Sequence, residues 1–149
     1  MRTIQKMFDH QYWGNQCILE KVTNMDGENQ EILRLFSHIL LAEKVWITRL
    51  KGLDSSGIPI WVEGDLESCV ELVRQNKESY TAFLSHLSED KLDDIITYTN
   101  SKGTAFKNTV REILTHVALH GHYHRGQINA RIRANGMEPV GIDFITFAR

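Results

Sequence analysis

The sequence is poor in cysteine, and its two cysteines, Cys17 and Cys69, lie far apart with no CxxC spacing. That excludes a secreted disulfide scaffold and fits a reducing cytoplasm. Charge of one sign is not in excess either: 17 Lys and Arg face 19 Asp and Glu, and the basic residues are scattered along the chain. Neither a nucleic acid nor an anionic membrane finds an electrostatic footprint here. No apolar run approaches the roughly 20 residues of a membrane span. The opening MRTIQKMFDHQYW has no apolar core of a secretory signal, so a cytoplasmic protein is expected. No internal repeat, low-complexity tract or linker-like stretch interrupts the 149 residues, a length at which one domain over 1–149 can bury a sizeable core.

What is present is helical periodicity. Ile4, Met7, Phe8, Tyr12, Ile18, Leu19 and Val22 predict a first helix from about Thr3 to Asn24, stopping at Asp26-Gly27. Ile32, Leu35, Phe36, Ile39, Trp46, Ile47 and Leu50 carry a second, from Gln30 to about Lys51, before a loop with Gly57 and Pro59. Asp65 is a good N-cap for a third helix reaching about His86. Ile95 to Thr99, a turn at Asn100 to Gly103, and Thr104 to Phe106 read as a β-hairpin. It must lean on the helices, because two strands alone are marginal. Asn108 or Thr109 caps a long last helix ending at Asn135-Gly136, followed by Pro139, Gly141 and a short amphipathic tail from Asp143 to Arg149. The expected fold class is therefore all-α: a four-helix bundle with a small hairpin before the last long helix and a short helical tail.

Four of the seven histidines, His116, His120, His122 and His124, fall on the last helix. With His116 as zero on a wheel of about 100° per residue, His120 falls near 40° and His124 near 80°. The apolar group Val110, Ile113, Val117 and Ile128 spans about 60° to 120° on the same wheel. His120 and His124 therefore face inward, His116 lies at the margin, and His122 points nearly opposite. Two imidazoles one turn apart can share a metal ion. Bundles build such sites across facing helices, and His38, flanking the stripe of Leu35, Ile39, Ala42 and Trp46, is the best-placed third donor. A hydrogen-bonded packing histidine is the competing reading of His38.

The stretches FDHQYWGNQCIL from Phe8, HILLAEKVW from His38, HVALHGHYHRGQI from His116 and the ending GMEPVGIDFITFAR resemble the DinB family of the DinB/YfiT-like superfamily. The most specific part is Tyr-His-Arg-Gly-Gln at Tyr123 to Gln127. The resemblance covers essentially the whole chain. It implies a four-helix bundle, often a homodimer, with one divalent metal held by His38, His120 and His124. Zinc and nickel suit such a set best, with manganese, cobalt and iron also compatible. Three imidazoles leave positions for water or substrate. Relatives in the superfamily include transferases that conjugate low-molecular-weight thiols to electrophiles, and others resemble metal-dependent hydrolases, so a small-molecule substrate is expected. A non-catalytic metal-containing stress-response or binding module is the alternative.

Other polar residues admit two roles each. Glu43, within the apolar face of the second helix, could orient a ligand imidazole or act as a base, or be held at a helix interface. Arg125 could bind an anionic substrate, or anchor the hairpin or a dimer mate through an ion pair. Gln127 and Asn15 could hydrogen-bond behind the ligands. Tyr12, Trp13, Trp46 and Trp61 could line an apolar pocket or simply pack. Cys17 reads as a small core residue, and a helix-one surface with Phe8, Tyr12 and Trp13 could serve for pairing of two copies.

Overall fold

The computed structural model describes residues 1–27 and 29–149. It contains α1 (Arg2–Thr23), α2 (Gln30–Leu50), α3 (Leu66–His86), a 3-10 turn at Glu89–Asp93, β1 (Ile95–Thr99), β2 (Ala105–Thr109), α4 (Val110–Ala134) and α5 (Phe144–Ala148). Among the described residues, no helix is long and apolar enough to cross a membrane.

The starts of α3 and α4 are set by local chemistry. The Asp65 side chain accepts from the Ser68 amide at 2.8 Å. Of the two candidate caps for α4 it is Thr109 that works, accepting from the Glu112 amide while the Glu112 carboxylate accepts from the Thr109 amide. Both reciprocal bonds satisfy amides that a helix start leaves unpaired. The second strand is longer than expected, because it runs straight into this cap: Ile95 pairs with Thr109 and Thr99 with Ala105. Asn100 closes the turn, its side-chain oxygen accepting from the amides of Lys102 and Thr104. Gly103 supplies a φ of 80°, which a side chain disfavours. The hairpin leans on the bundle through Ile96 and Tyr98, and the Tyr98 ring meets Trp46 edge-on at 5.0 Å.

Helices α1 and α2 lie diagonally across the bundle, each flanked by α3 and α4. One apolar cluster joins the start of α1 (Ile4, Phe8) and of α4 (Val110 to Val117) with the ends of α2 (Ile47, Leu50) and α3 (Tyr80, Leu84). The other joins the ends of α1 (Ile18, Val22) and α4 (Ile128, Ile132) with the starts of α2 (Ile32 to Leu40) and α3 (Cys69, Val73). Helices α1 and α4 therefore run one way, α2 and α3 the other. This demands a connection that returns along the whole of α2, and residues 51–65 make it. Arg49 bonds Ser55 at one end of the loop, and Gln30 bonds the Glu63 carbonyl at the other.

Candidate metal centre

The returning loop matters because it covers the face where α2 meets α4. His38 from α2 and His120 and His124 from α4 converge there, each offering one ring nitrogen, with these atoms all within 4.8 Å of one another. His38 is buried and the other two are half-buried. Loop residue Ile60 accepts a hydrogen bond from His38 Nδ1 at 3.0 Å. A carbonyl can only accept, so Nδ1 carries the proton and Nε2 keeps its lone pair for a metal. His124 is committed the same way: Nδ1 lies 2.7 Å from Gln127 Oε1. The Trp61 indole lies flat on His38, with ring centres 3.6 Å apart and planes 2° from parallel.

The donor set fits one divalent transition ion. Zinc–imidazole bonds are about 2.0–2.1 Å, so tetrahedral donors sit about 3.3 Å apart, inside the span over which these atoms are gathered. Outer partners that fix the tautomer are how histidine metal sites are held ready. Among the described residues, no fourth His, Cys, Asp or Glu joins the group within that distance. His116 stays outside it, its ring centre 5.4 Å from His120 and 5.2 Å from Trp46. Burial, then the neighbouring imidazoles, push His120 down to about 4. Burial likewise lowers His38, with His124 and Arg34 adding to the effect against the Ile60 bond. Both shifts favour the neutral imidazole that a metal ligand must be.

Glu43 and Arg125 are not brought to these rings. They meet inside the bundle, in a polar layer between the two apolar clusters, to which each of the four long helices contributes. The Glu43 carboxylate accepts from Gln11, Asn15 and Asn76 at 2.7–2.9 Å. The Arg125 guanidinium donates to the amide oxygens of Gln11 and Asn15, both at 2.9 Å. Two amides therefore bridge the charges. Burial raises Glu43 against those three donors and Arg125, and lowers Arg125 to about 10 against the Glu43 carboxylate. Glu43 is held at a helix interface, one of the two roles its position allowed. Arg125 anchors α4 to α1 rather than to the hairpin.

Two glycines make the layer possible. A Cβ on Gly121 would lie 2.7 Å from Gln11 Oε1, and one on Gly14 would lie 3.0 Å from Arg125 Nε. Glycine inside a helical pattern signals such a close approach, but Gln11 and Asn76 carry no linear signal. Between α1 and α3 the layer opens into a cavity of about 340 Å³, which shares no lining residue with the three histidines.

The remaining candidates divide. Gln127 stands behind His124, whereas Asn15 belongs to the polar layer. Trp61 flanks the centre, Trp46 packs beside His116, and Trp13 lies under Phe147 of α5 at 5.4 Å. Phe8 is in the core against Tyr80 and is no part of an exposed face. Cys17 is half-buried rather than core. His10, passed over in the sequence, is buried and bonds the Ile142 carbonyl at 2.7 Å, tying down the tail.

With this geometry in place, likeness to known proteins becomes informative. The DinB family model matches residues 8–149. The chain belongs to the DinB family. A relative, Protein DinB of Bacillus subtilis (strain 168), is 28% identical over 156 residues, covering 93% of this chain and 90% of the relative. The crystal structure of a DinB-like protein from Bacillus cereus ATCC 10987 has a TM-score of 0.64 at 17% identity. It covers 95% of this chain and 96% of that one, and it shares the fold. Family membership and the three-histidine group agree on a DinB-like bundle with a possible metal site between α2 and α4.

Proposed function

We propose that His38, His120 and His124 hold one divalent transition ion, zinc or nickel, and that the protein is a metal-dependent transferase joining a low-molecular-weight thiol to a small electrophile. The observation that carries this reading is a set of three imidazole donors without a fourth protein ligand among the described residues. An ion held only by neutral imidazoles keeps its full charge and lowers the pKa of a coordinated thiol or water. The protein's own part is to present the donors and shape the approach. Ile60 and Gln127 hold two rings in the ligating tautomer. Trp61, flat on His38, and Tyr123, edge-on to His124 at 5.0 Å, are the aromatic walls beside the open side. In this reading Glu43 and Arg125 act as positioning residues, fixing α2 and α4 so that the rings converge, without touching substrate.

The test is thiol consumption by tag-free protein loaded with zinc, nickel or manganese, using model electrophiles and several thiols, with His120→Ala as control. Metal-dependent turnover lost in the variant is expected. Bound metal without such turnover overturns the transferase reading, and turnover of esters or amides in its place assigns a hydrolase. We place the protein in the cytoplasm as a homodimer; light scattering on the purified protein checks the dimer, and cell fractionation the location.

A further inference from the structure

The charge around the three histidines is one-sided. Arg34 lies on α2 one turn before His38, and its guanidinium sits over the same Trp61 indole that stacks on His38, 4.9 Å from the ring centre. Arg34 is exposed and, among the described residues, forms no ion pair and no side-chain hydrogen bond. Its partners are the indole and solvent. The three clustered donors are all imidazoles, and among the described residues no carboxylate belongs to the group. Glu43, the acid nearest His38 in sequence, is turned inward and saturated by three amides, and Glu31, three residues before Arg34, is bonded to Arg131. A divalent ion on three imidazoles would add two further positive charges beside Arg34, with no carboxylate in the donor group.

We infer that Arg34, held on Trp61, is the anion-recognition residue of this centre and that its substrate carries a carboxylate. This rests on the metal-site reading above and deepens it. Arg34 and His38 share the Trp61 indole, so the fitting ligand binds the ion at one end and carries its carboxylate at the other. A guanidinium is the suitable partner because its fork takes both carboxylate oxygens while its face stays stacked on the indole. The stack also holds the side chain in place, so less side-chain entropy is lost on binding. Arg125, the arginine beside the histidine cluster in sequence, is excluded from this role, because it is fully buried and spent on Gln11 and Asn15.

The experiment uses cobalt-loaded protein, whose visible absorption reports ligands entering the metal shell. It is titrated with mercaptocarboxylates of three to six carbons and with mercaptoalcohols of matched length. A parallel series pairs dicarboxylates with their monoamides, so that binding by a non-thiol ligand is read separately. The charged member of each pair is expected to bind about five- to tenfold tighter at low salt, with the advantage shrinking as ionic strength rises. In Arg34→Met the ratio is expected to fall to near unity, and Arg34→Lys is expected to keep part of it. An Arg34-dependent preference in the dicarboxylates alone upholds the inference while removing the thiol. Thiols that bind without such a preference in either series overturn the inference and leave the transferase reading standing. Failure to take up cobalt overturns both.

Discussion

Replacing Gly121 by alanine is expected to destabilise the protein, although alanine is the better helix former by about 1 kcal/mol. The added methyl would lie 2.7 Å from Gln11 Oε1 and 2.8 Å from its Cδ, so the Gln11 side chain must leave. That side chain is buried and joins Glu43 at 2.7 Å to Arg125 at 2.9 Å. Hydrogen bonds to charged groups contribute about 1.5–3 kcal/mol each. Losing both, less the helix gain and some relaxation, leaves a net cost of about 2–4 kcal/mol. The internal control is Gly126, exposed on the same helix with nothing within 4 Å of a built Cβ. Gly126→Ala is expected to stabilise by about 0.5–1 kcal/mol. Urea unfolding followed by circular dichroism reads both, and Gly121→Ala should lower the midpoint by about 1–2 M. Equal responses at the two glycines would refute the idea that the polar layer depends on close approach of α1 and α4.

Glu43→Gln places an amide donor against the Asn76 donor and strips Arg125 of its counter-charge, at a cost of about 3–5 kcal/mol in the same assay. Gln127→Leu is expected to weaken metal binding about 10- to 100-fold in chelator competition, because His124 loses the partner that orients it. The metal-free protein is expected to lose stability as pH falls. His120 is lowered from 6.5 to about 4, so the unfolded chain binds the extra proton, and stability complete above pH 6.5 declines as pH drops through 6.5 toward 4. Denaturation midpoints across that window check this, and His120→Gln should flatten the slope. Saturating metal at about 100 times its dissociation constant should add about 2.7 kcal/mol, which a chelator removes.

Linear information was sufficient wherever the deciding contact is local. The four long helices follow from apolar spacing, Asp65 and Thr109 act as caps within their own first turns, and Gly103 and Gly136 adopt positive φ where the turns need it. His120 and His124 were legible for the same reason, since two residues four apart on one helix face each other whatever the rest of the chain does. His38 was the best-placed third donor on its helix and was supplied by family likeness, not by spacing.

Tertiary structure alone decided the remainder. Apolar stripes are compatible with several orders of helices, and the return of residues 51–65 along α2 selects the one in which α2 faces α4. That same loop brings Ile60 and Trp61 onto His38, setting its tautomer and one wall of the site. Glu43 and Arg125 needed the fold most, because their shared partners Gln11 and Asn15 lie more than a hundred residues before Arg125. A periodic pattern reports that a side chain turns inward, but what it meets there depends on which helix lies opposite. The sequence by itself determined the elements and the histidine pair on α4; only the packing of four helices decided that one inward carboxylate and one inward guanidinium hold the bundle together while the imidazoles are left for a metal.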